Sequence, residues 1–126
     1  MARSSLLSCL EKRDLLNQSA VSIDKLLDWG SRYEEAGQLN DAVDFYDRAK
    51  ASEQLEKLMP RVCAEGDAFL YGRILKALDR EAPPQDWLEL GEKAKQLGKM
   101  AYARDAFSKA GRQWAEDEPA GEEQGP

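Results

Sequence analysis

The sequence predicts an all-α protein in which helix–turn–helix repeats stack into a solenoid, and three observations carry that reading. Apolar residues recur at helical spacing, as in Leu26, Trp29, Gly30 and Tyr33, and no run alternates as a strand would. A stretch of chain repeats: Leu27 to Lys50 aligns without a gap on Leu88 to Gly111 at a constant shift of 61 residues, with six of 24 pairs identical. Single glycines, Gly37, Gly66 and Gly98, interrupt the apolar stripes where a tight turn would join two helices.

The identical pairs are Leu27/Leu88, Gly30/Gly91, Gly37/Gly98, Ala42/Ala103, Asp44/Asp105 and Ala49/Ala110. Trp29/Leu90, Arg32/Lys93, Leu39/Met100, Tyr46/Phe107 and Arg48/Lys109 are chemically alike. The matches fall on small and large apolar positions, where helix packing restricts choice most.

Taken in order, Leu6, Leu7, Leu10, Leu15 and Leu16 predict an N-terminal helix able to cap the open end of the stack. Ser22 is the expected N-cap of the next helix, whose face is Leu26, Trp29, Gly30 and Tyr33. After Gly37, Asn40 is the expected cap of a return helix with Ala42, Val43, Phe45, Tyr46 and Ala49 on its inner face. A divergent middle hairpin follows, with Leu55, Leu58, Met59, Val62 and Cys63 before Gly66 and Leu70, Tyr71, Ile74, Leu75 and Leu78 after it. Pro60 interrupts the first of these stripes. An interior proline costs ~3 kcal/mol, so a kink, or two short helices end to end, is expected there. Pro83 and Pro84 stop the middle hairpin, and Trp87, Leu90, Gly91 and Ala94, then Ala103, Ala106, Phe107 and Ala110, form the last one. The helical domain is expected over residues 1–115. Residues 116–126, with five acids, no base and Pro119, Gly121, Gly125 and Pro126, read as a disordered acidic tail.

Composition narrows the function. With 126 residues the chain can bury a core without metal or disulfide. Histidine is absent, which removes the commonest general base and metal ligand. The two cysteines, Cys9 and Cys63, are too far apart for a zinc knuckle or a redox pair. Each lies in an apolar stripe, so buried free thiols in a reducing, cytoplasmic setting are expected. Leu6-Leu7-Ser8-Cys9 has the look of a lipoprotein cleavage site, but the apolar stretch before it is too short and charge resumes at Glu11. No apolar run reaches the ~20 residues of a membrane span. Of the net charge of −6, the last eleven residues carry −5, and no basic stripe marks a nucleic-acid face. No glycine-rich phosphate loop, no nucleophile beside a base and no Glu-x-x-His pair is present. The expectation is therefore a protein without catalytic, cofactor-binding or metal-binding residues.

Leu26-x-x-Trp29-Gly30-x-x-Tyr33 followed by Gly37, Ala42, Tyr46 and Ala49 resembles the tetratricopeptide signature. Trp87-x-x-Leu90-Gly91 followed by Gly98, Ala103, Phe107 and Ala110 resembles it more closely, and the likeness covers residues 23–50 and 84–111. It implies a right-handed α-solenoid of about three helix–turn–helix repeats with an N-terminal capping helix. Tetratricopeptide units repeat every ~34 residues, so two units would separate the copies by about 68 residues, against 61 here. The middle unit is short and its signature weak. Units near ~30 residues also occur in coat-protein-like solenoids, so the resemblance implies the architecture rather than strict membership.

The family further implies an interaction module that holds a protein or peptide along the first helices of its hairpins. Carried over residue by residue, the groove positions are Asp24, Leu27, Ser31, Glu34 and Glu35 in the first copy and Gln85, Leu88, Glu92, Lys95 and Gln96 in the later one. Taken singly, each also reads as an ordinary solvated helix residue. The family's lysine–asparagine carboxylate clamp is missing, since Asp24, Leu27, Asp28 and Ser31 stand at its places. The charged groove positions sum to −3, so a basic, partly apolar protein segment is the expected partner, with neither nucleic acid nor membrane involved. The alternative is a structural subunit, or the end of a larger solenoid, acting through self-association of surfaces such as Trp29, Trp87 and Trp114. Removing residues 116–126, whose only apolar side chains are Ala120 and the two prolines, is expected to leave the melting temperature of the chain nearly unchanged in a calorimetric scan.

Overall fold

The computed structural model of the chain describes residues 6–112, so Trp114 and the acidic segment 116–126 lie outside the described residues. Among the described residues there are seven helices and no strand: α1 (Cys9–Asn17), α2 (Ile23–Glu35), α3 (Leu39–Arg48), α4 (Ser52–Ala64), α5 (Ala68–Ala77), α6 (Pro84–Gln96) and α7 (Met100–Lys109). None is long and apolar enough to cross a membrane. The chain divides into two compact units, one ending at Glu56 and one beginning at Lys57.

The helices obey a common metre. The first helix of each hairpin, α2, α4 and α6, has 13 residues, and the second, α3, α5 and α7, has 10. Within each hairpin the connecting turn places its glycine in the left-handed region, at φ 80° for Gly37, 69° for Gly66 and 77° for Gly98. After each second helix a further left-handed residue follows at the corresponding place: Lys50, Asp79 and Gly111. The middle hairpin, divergent in sequence, thus keeps the backbone plan of the other two. The irregular spacing comes from the connections, three residues (49–51) between α3 and α4 but six (78–83) between α5 and α6.

In the first unit, Ser22 caps α2 as expected, its hydroxyl accepting from the Lys25 N–H at 3.1 Å. The three-residue turn folds α3 back, antiparallel, along α2. The two helices meet closely because Gly30 has no side chain: a Cβ there would lie 2.4 Å from Cε1 of the Tyr46 ring. Leu26, Tyr33, Leu39, Ala42, Val43, Phe45 and Tyr46 are buried, and the Tyr33 and Phe45 rings stack with centroids 5.5 Å apart. Helix α1 lies on α3. Its start is closed by a capping box, Ser8 accepting from the Glu11 N–H and Glu11 accepting from the Ser8 N–H.

In the second unit, α6 and α7 pair along their length and α5 packs on both. Gly91 repeats the arrangement of Gly30, since a Cβ there would lie 2.8 Å from Cε1 of Phe107. At the matching places of α4 and α5, the eighth residue of each, stand Met59 and Leu75 in place of a glycine and a ring. The Tyr71 and Trp87 rings meet edge to face at 5.1 Å. The α4–α5 turn presses on α6: a Cβ at Gly66 would lie 2.9 Å from the Ala94 Cα, and Lys99 Nζ donates to the Glu65 carbonyl at 2.7 Å.

Three local expectations are corrected. Asn40 does not cap α3, which begins one residue earlier at Leu39 behind Gln38 with no side-chain cap. Leu39, the first residue of the helix, is buried in the core, whereas Asn40 is exposed. Pro60 does not divide α4 into two helices, since α4 runs as one helix from Ser52 to Ala64 with the proline inside it. Cys9 is exposed, because α1 offers α3 the side that bears Lys12 and Leu15, and Cys63 on α4 is only half-buried.

Gly66 and Gly98 share the left-handed conformation, but only Gly66 has backbone within 4 Å. Gly98→Ala should therefore cost about 1–2 kcal/mol for the conformation alone, and Gly66→Ala about 1–3 kcal/mol more for the collision with Ala94. Urea denaturation of the two variants measures the difference, and equal midpoints would contradict the close approach. In the same assay Gly91→Val, against the buried Phe107 ring, should destabilise more than Leu88→Ala at a half-buried site.

Candidate partner-binding surface

The ten residues expected to line a groove stand on the first helix of two hairpins, five on α2 and five on α6, at matching turns. Each set belongs to its own unit. On α2, Asp24, Ser31 and Glu35 are exposed while Leu27 and Glu34 are half-buried. On α6, Gln85 and Gln96 are exposed while Leu88, Glu92 and Lys95 are half-buried. The paired positions thus carry similar exposure in the two copies, and Leu27 and Leu88 keep leucine while most neighbours change charge.

Several of these side chains also serve their own hairpin. Glu34 Oε1 accepts from the Tyr46 hydroxyl at 2.7 Å, so this carboxylate anchors the ring that lies on Gly30. Burial, and then the hydrogen bond to Glu34, push the Tyr46 hydroxyl well above the ordinary phenol range. Glu92 lies 3.7 Å from Arg112. Lys95 Nζ stands 5.7 Å from the centroid of the Phe107 ring. Leu88 packs against the buried cluster of Ala94, Ala103 and Phe107, so its apolar surface is shared between core and solvent. Gln85 donates to Glu89 at 3.1 Å along the helix. Asp24 and Glu35 are the more outward of the four acids. Carboxylates held this way can accept hydrogen bonds from lysine or arginine on another chain, with the two leucines supplying apolar contact.

Among the described residues no cluster of three or more histidine, cysteine or acidic side chains is placed to hold a metal, and no polar or charged residue is buried. Cys63 lies in a cleft with Tyr71, Asp86 and Lys93, where burial, and then the charge of Asp86, push its thiol up and make it a poorer nucleophile.

Two surface features escaped the sequence reading. An open cleft of about 740 Å³ lies over Trp87, with Lys76, Arg80 and Lys109 at its margin, and Lys109 Nζ sits 5.4 Å from the Trp87 ring centroid. Phe69, 51% exposed, meets Tyr102 edge to face at 4.9 Å. Asn40 and Asp41 stand at the corresponding places of the first hairpin, so the internal repeat carries no counterpart of that pair. Comparison with family models, with curated proteins and with solved structures found no match to this chain.

The Tyr46 shift has a definite sign. A phenol whose folded pKa is raised contributes stability in full below its unfolded value, about 10, and loses it as pH rises toward the folded value. Tyr33, Tyr71 and Tyr102 are shifted the same way, each first by burial. Stability measured by chemical denaturation should be flat with respect to these groups from pH 7 to 9 and fall above about pH 10. Tyr46→Phe should lose part of that alkaline dependence, and an unchanged slope would mean that the hydroxyl is not held as described.

Proposed function

We propose that the chain is a non-catalytic, tetratricopeptide-like interaction module, a scaffold or adaptor of the cytoplasm that holds a protein or peptide segment along the first helices of its hairpins. One observation carries this reading. At the 61-residue shift the two related hairpins share their helix ends, their left-handed turn glycines and their glycine-to-ring contacts, Gly30 on Tyr46 and Gly91 on Phe107. Repetition that preserves backbone contacts while the outward residues change suits a surface for recognition: Asp24 becomes Gln85, Ser31 becomes Glu92 and Glu34 becomes Lys95. The acids on that surface favour a basic partner, and Leu27 and Leu88 favour one that is partly apolar. The free thiols Cys9 and Cys63 agree with a reducing compartment.

Self-association is the second reading, and the exposed apolar side chains Leu10, Ile23, Phe69 and Leu97 favour it. Mass in solution separates the two, because a monomer at micromolar concentration leaves these side chains for another use.

The interaction reading is tested by affinity capture from the native host, comparing the wild-type chain with Glu35→Lys/Glu92→Lys. The double variant should fold normally by circular dichroism and recover several-fold less of the specific partner. Capture should also weaken as salt rises, because surface charges are screened within ~8 Å at physiological ionic strength. Equal recovery by both chains would remove these positions from the interface.

A further inference from the structure

Helix α1 is held in a manner unlike the rest of its unit. With nine residues it is shorter than the ~12–15 residues that an isolated helix needs to persist in water, so it is helical because it is docked. Yet docking buries little of it. Leu15 is its one buried residue, Cys9 is exposed and Leu10 is 61% exposed, whereas α3 buries five side chains.

Beside the buried Leu15 and the half-buried Leu6, Leu7 and Leu16, the attachment has several polar ties. Lys12 Nζ donates to Asp41 Oδ1 at 2.6 Å and to Asp44 Oδ2 at 2.5 Å, with the lysine side chain only 18% exposed. From α3, Arg48 donates through Nε to the Leu16 carbonyl at 3.1 Å and through Nη2 to the Gln18 carbonyl at 2.6 Å, which closes the C-terminal end of α1. Ahead of the helix, the Tyr33 hydroxyl accepts from the Leu7 N–H at 3.0 Å and donates to the Leu7 carbonyl at 3.1 Å. The α2–α3 hairpin has a core of its own in Leu26, Val43, Phe45 and Tyr46, closed by the Gly30–Tyr46 contact, to which α1 adds no ring. Residues 18–22, which join α1 to α2, are exposed except for the half-buried Val21.

We propose that α1 is a charge-latched strap, which leaves α3 as a unit while the α2–α3 hairpin stays folded, and whose latch is the Lys12 ammonium between Asp41 and Asp44. Opening uncovers Asp41, Asp44, Arg48 and the Tyr33 hydroxyl together, a surface already shaped to hold a lysine-bearing helix. Ionic strength sets the open fraction, because an ion pair is screened by salt and an apolar contact is not. The latch lies on α3 and the Tyr33 hydroxyl on α2, and none of these residues belongs to the first-helix surface proposed above, so the strap does not depend on that reading.

Hydrogen exchange of the full chain, read by mass spectrometry, tests the strap with α2 and α3 as internal reference. In low salt the α1 amides should exchange faster than the slowest amides of α2 and α3. Raising sodium chloride to about 1 M, where the screening length falls to ~3 Å, should speed α1 alone. Lys12→Gln should do the same in low salt, by about tenfold, the scale of one charge-assisted contact. Added salt should then have little further effect on that variant, and Lys12→Arg, which keeps the charge, should stay close to wild type. The proposal is overturned if α1 exchanges in step with α2 and α3 under every condition, if Lys12→Gln leaves α1 unchanged, or if that substitution speeds α2 and α3 as much as α1.

Discussion

Two hairpins of this protein are organised by one contact: a helix backbone, bare at a glycine, against the face of an aromatic ring. At Gly30 a β-carbon would lie 2.4 Å from the Tyr46 ring and at Gly91 it would lie 2.8 Å from Phe107, so neither helix pair could close as it does around any other residue. The ring fills the space that the missing side chain leaves, and the flanking small residues Ala42 and Ala103, both fully buried, fit the same close crossing. In these two hairpins the close antiparallel pairing of the helices depends on that approach.

The contact also reaches the surface. The Tyr46 ring that rests on Gly30 ends in a hydroxyl bonded to Glu34, and the Phe107 ring that rests on Gly91 lies beneath Lys95 and Arg112, the latter near Glu92. Glu34, Glu92 and Lys95, proposed for partner recognition, therefore touch side chains that close the hairpin or lie over it. The surface charges of the first helices are oriented by the core beneath them, which lowers the conformational freedom a partner would have to remove on binding.

The N-terminal segment illustrates a different balance. Where α3 secures its place through five buried side chains, α1 does so through a lysine between two aspartates and an arginine on its terminal carbonyls. Buried apolar area holds an element at any ionic strength, whereas charge holds it conditionally. The same fold thus contains a permanent hairpin and an appended helix whose attachment responds to its surroundings.

The sequence by itself determined the all-α class, the pairing of helices around Gly37 and Gly98, and the inner faces of α3 and α7, because small and large apolar residues at helical spacing leave few ways to pack. It marked the residues of the candidate surface by position alone, since solvated side chains carry no periodic signal of their own. What tertiary structure decided were the places where local preference lost to packing. α3 starts at the buried Leu39, ahead of the expected cap Asn40, and α4 continues through Pro60 although a proline removes a backbone donor. The exposure of Cys9 follows from which side of α1 meets α3, a choice made by Asp41 and Asp44, some thirty residues away in sequence. The regular metre of the middle hairpin was hidden for the same reason. Met59 and Leu75 stand where the other hairpins have glycine and a ring, so residue identity gives no sign that α4 and α5 keep the 13- and 10-residue lengths of their counterparts.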